Sequence, residues 1–342
     1  MPIRRSAHVL LATITVTAIP AAASAATPDV ITSIEPVHSL TAGVMAGVAE
    51  PRLLVEAGES PHTYVMKPSE AQALGNADLV VWVGPVLEAF LTRPIANIAQ
   101  EAASFPITQI DGLTRHRVRV GGAWERHAHD HDHDHDHDHD HDEGDGHGNG
   151  HDHADDAPDH HNESASGPTG DALDPHIWLD PDNAKRIVTA LAERLSAADP
   201  DHAGTYADNA EAMRDRIDAA DTKIREMLAP VTDIPYVVFH DAYQYFERHY
   251  GMNASGSITI SPDRKPGARR IMTIRDTIRE RAARCVFREP QFAPKLVETV
   301  VEGMDANVGQ LDPLGSGIEP GPAAYTELMM DMARNLKTCL SR

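Results

Sequence analysis

The chain is poor in cysteine, with Cys285 and Cys339 the only two in 342 residues. None follows directly on the apolar N-terminal stretch, which argues against a lipid-modified N-terminus. Long apolar runs are also missing: the stretch from about Val9 to Ile19 is well short of the roughly 20 residues that span a bilayer, and no later segment is more apolar. Basic residues vanish from one whole window, since residues 127–163 hold fourteen Asp or Glu and no Lys or Arg. There is no His-Glu-x-x-His helix and no nucleophile elbow, so the familiar zinc-protease and hydrolase signatures are excluded.

What is present begins with "MPIRRSAHVLLATITVTAIPAAASAATPDV". Arg4 and Arg5, an apolar stretch and the small residues Ala23, Ser24 and Ala25 are expected to form a secretory signal over residues 1–26, cleaved near Ala25 or Ala26. The alternative, a membrane anchor, is too short. Export without an anchor points to the periplasm of a Gram-negative cell. In that compartment an even pair of cysteines reads as one disulfide, Cys285 to Cys339, with two buried free thiols as the alternative. The bond would close a loop of about 54 residues, stabilising by about 4 kcal/mol on the chain-entropy account.

The formal charge of -22 is mostly local, because removing the fourteen acids of residues 127–163 leaves about -8 for the rest. Such a body is ordinarily acidic, and nucleic acid is not an expected partner. The same window explains most of the histidine: residues 125–163, "ERHAHDHDHDHDHDHDHDEGDGHGNGHDHADDAPDHHNE", contain thirteen. A run of this composition has no apolar face to bury and is expected to stay solvated and disordered.

About 316 residues remain after the signal, more than one core comfortably holds, so two lobes are expected. "VITSI" at 30–34, "RLLVEAG" from Arg52 and "ADLVVWVG" at 77–84 read as strands, and residues 37–49 and 68–76 as helices. The same alternation returns with "PYVVFHD", "SGSITIS", "CVFREP" and "NVGQLDP" after residue 230. Between the two halves, Tyr206, Ala210, Met213, Ile217, Ala220, Ile224 and Met227 recur at steps of four and three, the mark of one amphipathic helix ended by Pro230. The expected class is α/β: two similar lobes with mainly parallel sheets flanked by helices, joined by one long linker helix. The boundaries are 27–200 for the first lobe with its histidine-rich loop at 125–163, 201–229 for the linker helix and 230–342 for the second lobe. An ordinary helix inside one lobe is the alternative.

Outside the run, His62 in "GESPHTY", His176 in "DPHIWLDP" and His240 in "VVFHDAYQYF" sit where strands end or loops begin, as does Asp312 in "QLDPLG". In open α/β sheets that edge is where ligands bind. One such histidine alone would read as structural, but three neutral imidazoles with one oxygen form the ligand set of a tetrahedral zinc site. Imidazole also suits copper and nickel, and a second carboxylate would favour manganese. A ligating imidazole donates its other N–H to an oxygen, and Asp174, Asp180, Asp241 and Glu289 are the nearby acids that qualify. His38, His116, His202 and His249 read as structural.

At these residues the chain resembles the metal-binding solute-binding proteins of ABC importers, specifically the zinc-binding ZnuA type. The likeness runs from about Val30 to Leu340 and is carried by "GESPHTYVMKPSE", "DPHIWLDP", "VVFHDAYQYF", "ISPDRKPGARR", "CVFREPQF" and "LDPLG", together with the histidine-rich insertion. It implies Zn2+ held between two lobes by His62, His176 and His240, and a cysteine pair in the second lobe. The fourth ligand is open. Asp312 corresponds to a ligand of the manganese branch, and where some zinc-branch members carry an acid just before the first histidine this chain has Pro61, so Asp312, Glu59 or a water could fill it.

The expected function is that of a periplasmic receptor, not an enzyme, which captures Zn(II) and delivers it to an ABC importer membrane permease with its cytoplasmic ATPase. It would act as a monomer that is not membrane-embedded. A receptor for manganese or another divalent metal is the alternative, and a secreted zinc hydrolase a more distant one. The imidazoles of His129, His131, His133, His135, His137, His139 and His141 would bind further zinc weakly, as a collecting or regulatory loop, against the plainer reading of a solvated spacer.

Overall fold

The computed structural model describes residues 27–121, 123–124, 172–259 and 266–342. The expected signal peptide, its cleavage site and the histidine run with His129 to His141 lie outside these residues.

The first sheet is assembled from β1 (Val30–Thr32), β2 (Arg52–Leu53), β3 (Leu79–Trp82) and β4 (Ala103–Pro106) in the order β2-β1-β3-β4, all parallel. The second repeats the pattern with β5 (Tyr236–His240), β6 (Ala254–Thr259), β7 (Cys285–Arg288) and β8 (Asn307–Gln310) in the order β6-β5-β7-β8. The α/β class with two similar parallel-sheet halves is as the sequence led us to expect. Strand β4 was not anticipated: "ASFP" offers one aromatic and ends in proline, which only an edge strand tolerates.

Both faces of each sheet are covered, as the central strands require. On β1 and β3, Val30, Leu79 and Val81 face the main core, while Ile31 and Val80 face a satellite core with Leu74 and Leu91. The second sheet alternates in the same way, Val238 and Phe287 inward, Val237 and Val286 outward. Strands buried on both faces read as continuous apolar runs, which is how "LVVW" and "YVVF" appear.

The main core is continuous from one half to the other, joining Val30 and Val81 to Phe287 and Leu340 through the helices between them. Helix α1 (Glu35–Met45) is buried from Pro36 to Met45. Helices α2 (Pro68–Gly75) and α3 (Ala89–Asn97) flank the first sheet, and α4 (Pro181–Ala198) follows it. Helix α5 (Ala203–Leu228) is the anticipated long helix, about 39 Å at 1.5 Å per residue. It buries Tyr206, Ala210, Met213, Ile217, Ile224 and Leu228, with Ala220 and Met227 half-buried.

Helix α5 serves both halves. Near its start the Asn209 Nδ2 donates to the carbonyls of Val44 and Ala46 at the end of α1, at 2.9 and 2.8 Å. Near its end Arg225 Nη1 donates to the His249 carbonyl at 3.3 Å, on α6 (Gln244–Tyr250) of the second half. Gly43 permits the close crossing of α1 over α5, since a Cβ there would lie 3.1 Å from Met213 Sδ. Helices α7 (Ala268–Glu280) and α8 (Lys295–Val301) flank the second sheet.

The last helix, α9 (Ala324–Leu340), returns across the junction. Tyr325 donates from its hydroxyl to the Trp178 carbonyl at 2.8 Å and from its backbone N–H to Ser39 Oγ at 2.8 Å. Trp178 Nε1 in turn donates to the Pro313 carbonyl at 2.9 Å. A shared core with buried crossing hydrogen bonds opposes wide hinge opening, because separation would leave each of these groups unpaired. Cys285 and Cys339 form a disulfide that fixes α9 to β7.

Candidate metal centre

Parallel strands place all their carboxyl ends at one edge, and the two sheets turn these edges towards each other. His240 is the last residue of β5 and is buried. His176 is buried just before the 3-10 turn Ile177–Leu179, which leads into α4. His62 is half-buried on the loop beyond β2. Their ring centroids form a near-equilateral triangle of 5.8, 5.7 and 5.3 Å, and one nitrogen from each lies within 4.8 Å of the others.

Two of the rings are oriented by carboxylates. His176 Nδ1 is 2.8 Å from Asp174 Oδ1, and His240 Nδ1 is 2.6 Å from Glu289 Oε1. Each Nδ1–H donates to its carboxylate, so each Nε2 carries the lone pair that a metal would take. The Nε2 of His240 is buried and has no hydrogen-bond partner among the described residues. A buried polar atom left unsatisfied is costly, and a cation among the three rings is what would satisfy it. The donor set fits zinc, copper or nickel in preference to calcium or magnesium.

Of the four acids that sequence nominated as orienting groups, Asp174 and Glu289 serve. Asp180 does not: it caps α4, accepting from the amides of Asp182 and Asn183 at 2.8 and 3.4 Å. Asp241 does not either, because its carboxylate is clamped by the Arg119 guanidinium, which also reaches Glu247 Oε2 at 2.6 Å and stacks 3.4 Å from the Trp124 ring. This Arg119 cluster escaped sequence reading, for Arg119 lies 122 residues from Asp241 and in no recognisable motif.

Asp312 and Glu59 both stand outside the histidine triangle. Asp312 ties its own turn, accepting from Gln291 Nε2 at 2.7 Å, Leu314 N at 3.0 Å and Ser316 N at 2.6 Å. Glu59 pairs with Lys67 Nζ at 3.5 Å and with the Glu56 amide at 3.3 Å. A cavity of about 250 Å³ opens beside the histidines, lined also by Val86, Val118, Trp124 and Leu173. It has room for solvent to reach a bound ion.

Electrostatics separate the two buried rings. Burial, and then the neighbouring His240, push the pKa of His176 well below its ordinary 6.5. For His240 burial also opposes protonation, but the charge and hydrogen bond of Glu289, with Asp241 and Asp174 behind them, leave its pKa raised. Burial lifts the Asp174 carboxyl to about 7.

Residues 30–339 match the family described as "Zinc-uptake complex component A periplasmic", ZnuA. The chain belongs to the ZnuA family. A high-affinity zinc uptake system protein ZnuA from Brucella suis is 46% identical over 313 residues, covering 92% of each chain. That of Paracoccus denitrificans is 41% identical over 339 residues, 99% of each. Among solved structures, a crystal structure of ZnuA superposes with a TM-score of 0.70 at 22% identity, covering 92% of this chain and 99% of that one. The periplasmic zinc-binding protein TroA of Treponema pallidum gives 0.70 at 19%, covering 92% and 100%. These distant structures share the fold, two parallel sheets about a long helix. Members of the family are periplasmic components of zinc uptake and not enzymes, and no helix among the described residues is long and apolar enough to cross a membrane.

Proposed function

We propose that this protein is the periplasmic receptor of a high-affinity zinc importer, with Zn(II) as cargo held by His62, His176 and His240 between the two lobes. The observation that carries this reading is the buried Nε2 of His240, unsatisfied among the described residues, where three imidazoles converge, two of them, His176 and His240, held at their other nitrogen by Asp174 and Glu289. Water from the adjoining cavity fills the fourth position, since Asp312 and Glu59 are already engaged. Residues 27–200 and 230–342 act as the two lobes about a helix at 201–229. The loaded receptor docks on an ABC permease that a cytoplasmic ATPase drives, and the receptor works as a monomer.

The histidine run serves as a loose collector. Thirteen tethered imidazoles alternating with carboxylates raise the local zinc concentration near the cleft without matching its geometry. Deleting residues 127–161 then removes weak sites and leaves the tight one.

The test of uptake is growth. In a bacterium lacking its own zinc receptor but retaining the permease and ATPase, this chain restores growth in chelator-treated medium, whereas His240→Ala does not. Restoration by His240→Ala equal to that of the unaltered chain would sink the assignment of the cleft.

A further inference from the structure

The carboxylate that aims His176 is itself held from the other half of the chain. The Asp174 side chain is 2% exposed. Its Oδ1 accepts from the backbone amide and the Nδ1–H of His176, at 3.0 and 2.8 Å. Its Oδ2 accepts from Gln244 Nε2 at 3.3 Å, the one hydrogen bond to that oxygen among the described residues. The terminal torsion of an aspartate is broad. Contacts to Oδ1 alone therefore leave the carboxylate free to swing about that oxygen, and the bond to Oδ2 is what fixes its plane.

Gln244 is suited to this because its own amide cannot turn. It is buried as the first residue of α6. Arg248 Nε, which only donates, meets Oε1 at 3.2 Å. The Arg117 carbonyl and the Asp174 carboxylate, which only accept, meet Nε2 at 3.0 and 3.3 Å. These partners dictate which end of the amide is oxygen and use both hydrogens of Nε2. Gln244 follows the buried ligand His240 by four residues. One short stretch of the second half thus supplies one buried histidine and braces the carboxylate behind the other.

We infer that Gln244 is a positioning residue for zinc, which acts through Asp174 by fixing the carboxylate that orients the His176 ring. The inference rests on His176 being a cleft ligand. Tyr245, the next residue, provides the contrast. Its hydroxyl donates to the Asp174 carbonyl at 3.0 Å and accepts from the His116 amide at 2.9 Å. Tyr245 therefore ties the same segment to α6 without touching the carboxylate.

Zinc competition titrations and visible spectra of the Co(II)-loaded full chain test this. Gln244→Met keeps the length of the side chain and loses its amide. The expected result is zinc binding weaker by about tenfold and displaced Co(II) absorption bands. Tyr245→Phe keeps affinity within about threefold and leaves the bands in place. On an Asp174→Ala background Gln244→Met has no further effect on affinity, because two changes that break one contact do not add. Gln244→Asn, whose amide falls one methylene short of Oδ2, gives a loss in the same direction should Gln244→Met fold poorly. Equal losses in Gln244→Met and Tyr245→Phe, or the same loss with and without the Asp174 carboxylate, would make Gln244 merely structural and overturn the inference. A loss in His176→Ala with none in Gln244→Met overturns this inference alone. Unchanged affinity in His176→Ala overturns the cleft reading and this inference with it.

Discussion

His240 Nδ1 lies 2.6 Å from Glu289 Oε1, and this contact decides both the direction in which the ring offers its lone pair and the proton affinity of that lone pair. Glu289 is 49 residues away, at the end of the neighbouring strand β7. The pairing therefore exists only because β5 and β7 lie side by side in the sheet.

A pH dependence follows. Zinc competes with the proton for His240 Nε2, and the raised pKa of His240 means that competition begins above the ordinary 6.5 as pH falls. Below that pKa, affinity drops by about tenfold per pH unit. His176, pushed the other way by burial, does not limit capture. In Glu289→Gln the onset moves to lower pH, and affinity at pH 7.5 falls by about 10- to 100-fold through loss of ring orientation. Competition titrations with a chelator at pH 7.5 and 6.0 measure both effects; an unchanged onset would contradict the assigned pairing.

Arg119 is a structural prediction. Replacing it with Met leaves Asp241 and Glu247 buried without a counter-charge, which costs about 3–5 kcal/mol. Both carboxyls are already raised by burial despite Arg119, and without it they rise further. A raised carboxyl pKa destabilises the fold as pH climbs past the unfolded value, so the loss is larger at pH 8 than at pH 5. Urea unfolding at the two pH values reads this, and an equal loss at both would count against a charge-based cause.

The disulfide between Cys285 and Cys339 joins residues 54 apart in sequence. Replacing both by Ala lowers stability by about 2–4 kcal/mol through the freedom returned to the unfolded chain. Zinc affinity stays within about threefold, because Cys285 pairs with Tyr236 at the start of β5 whereas His240 stands at its other end. Denaturant midpoints and zinc titration of the same sample separate the two quantities.

Gly309 on β8 is held to glycine by its neighbour. A Cβ there would stand 2.4 Å from Phe287 Cε1 on β7. Gly309→Ala forces that buried ring aside and costs about 1–3 kcal/mol, visible as a lower thermal midpoint.

Much of this was legible in the sequence because the signals are local. The runs "LVVW" and "YVVFH" and the spacing of Tyr206, Ala210, Met213 and Ile217 declare strands and a helix within a few residues. The three histidines announced themselves by standing at predicted strand ends. Asp174 is found because it lies two residues from His176. What stayed hidden depends on contacts distant in sequence. Asp312 looks like a ligand in "LDPLG", yet the amides of Leu314 and Ser316 and the side chain of Gln291 hold it in its own turn. His249 read as structural, and the acids that reach it, Asp180, Asp182 and Asp221, come from two other helices far away in sequence.

The measurement closest to the central claim is a calorimetric zinc titration at neutral pH of the mature chain and of the same chain with His62, His176 and His240 replaced by alanine. The account predicts that one tight site vanishes from the variant while the weak sites persist. Survival of the tight site would place the principal zinc site outside the cleft and contradict the account.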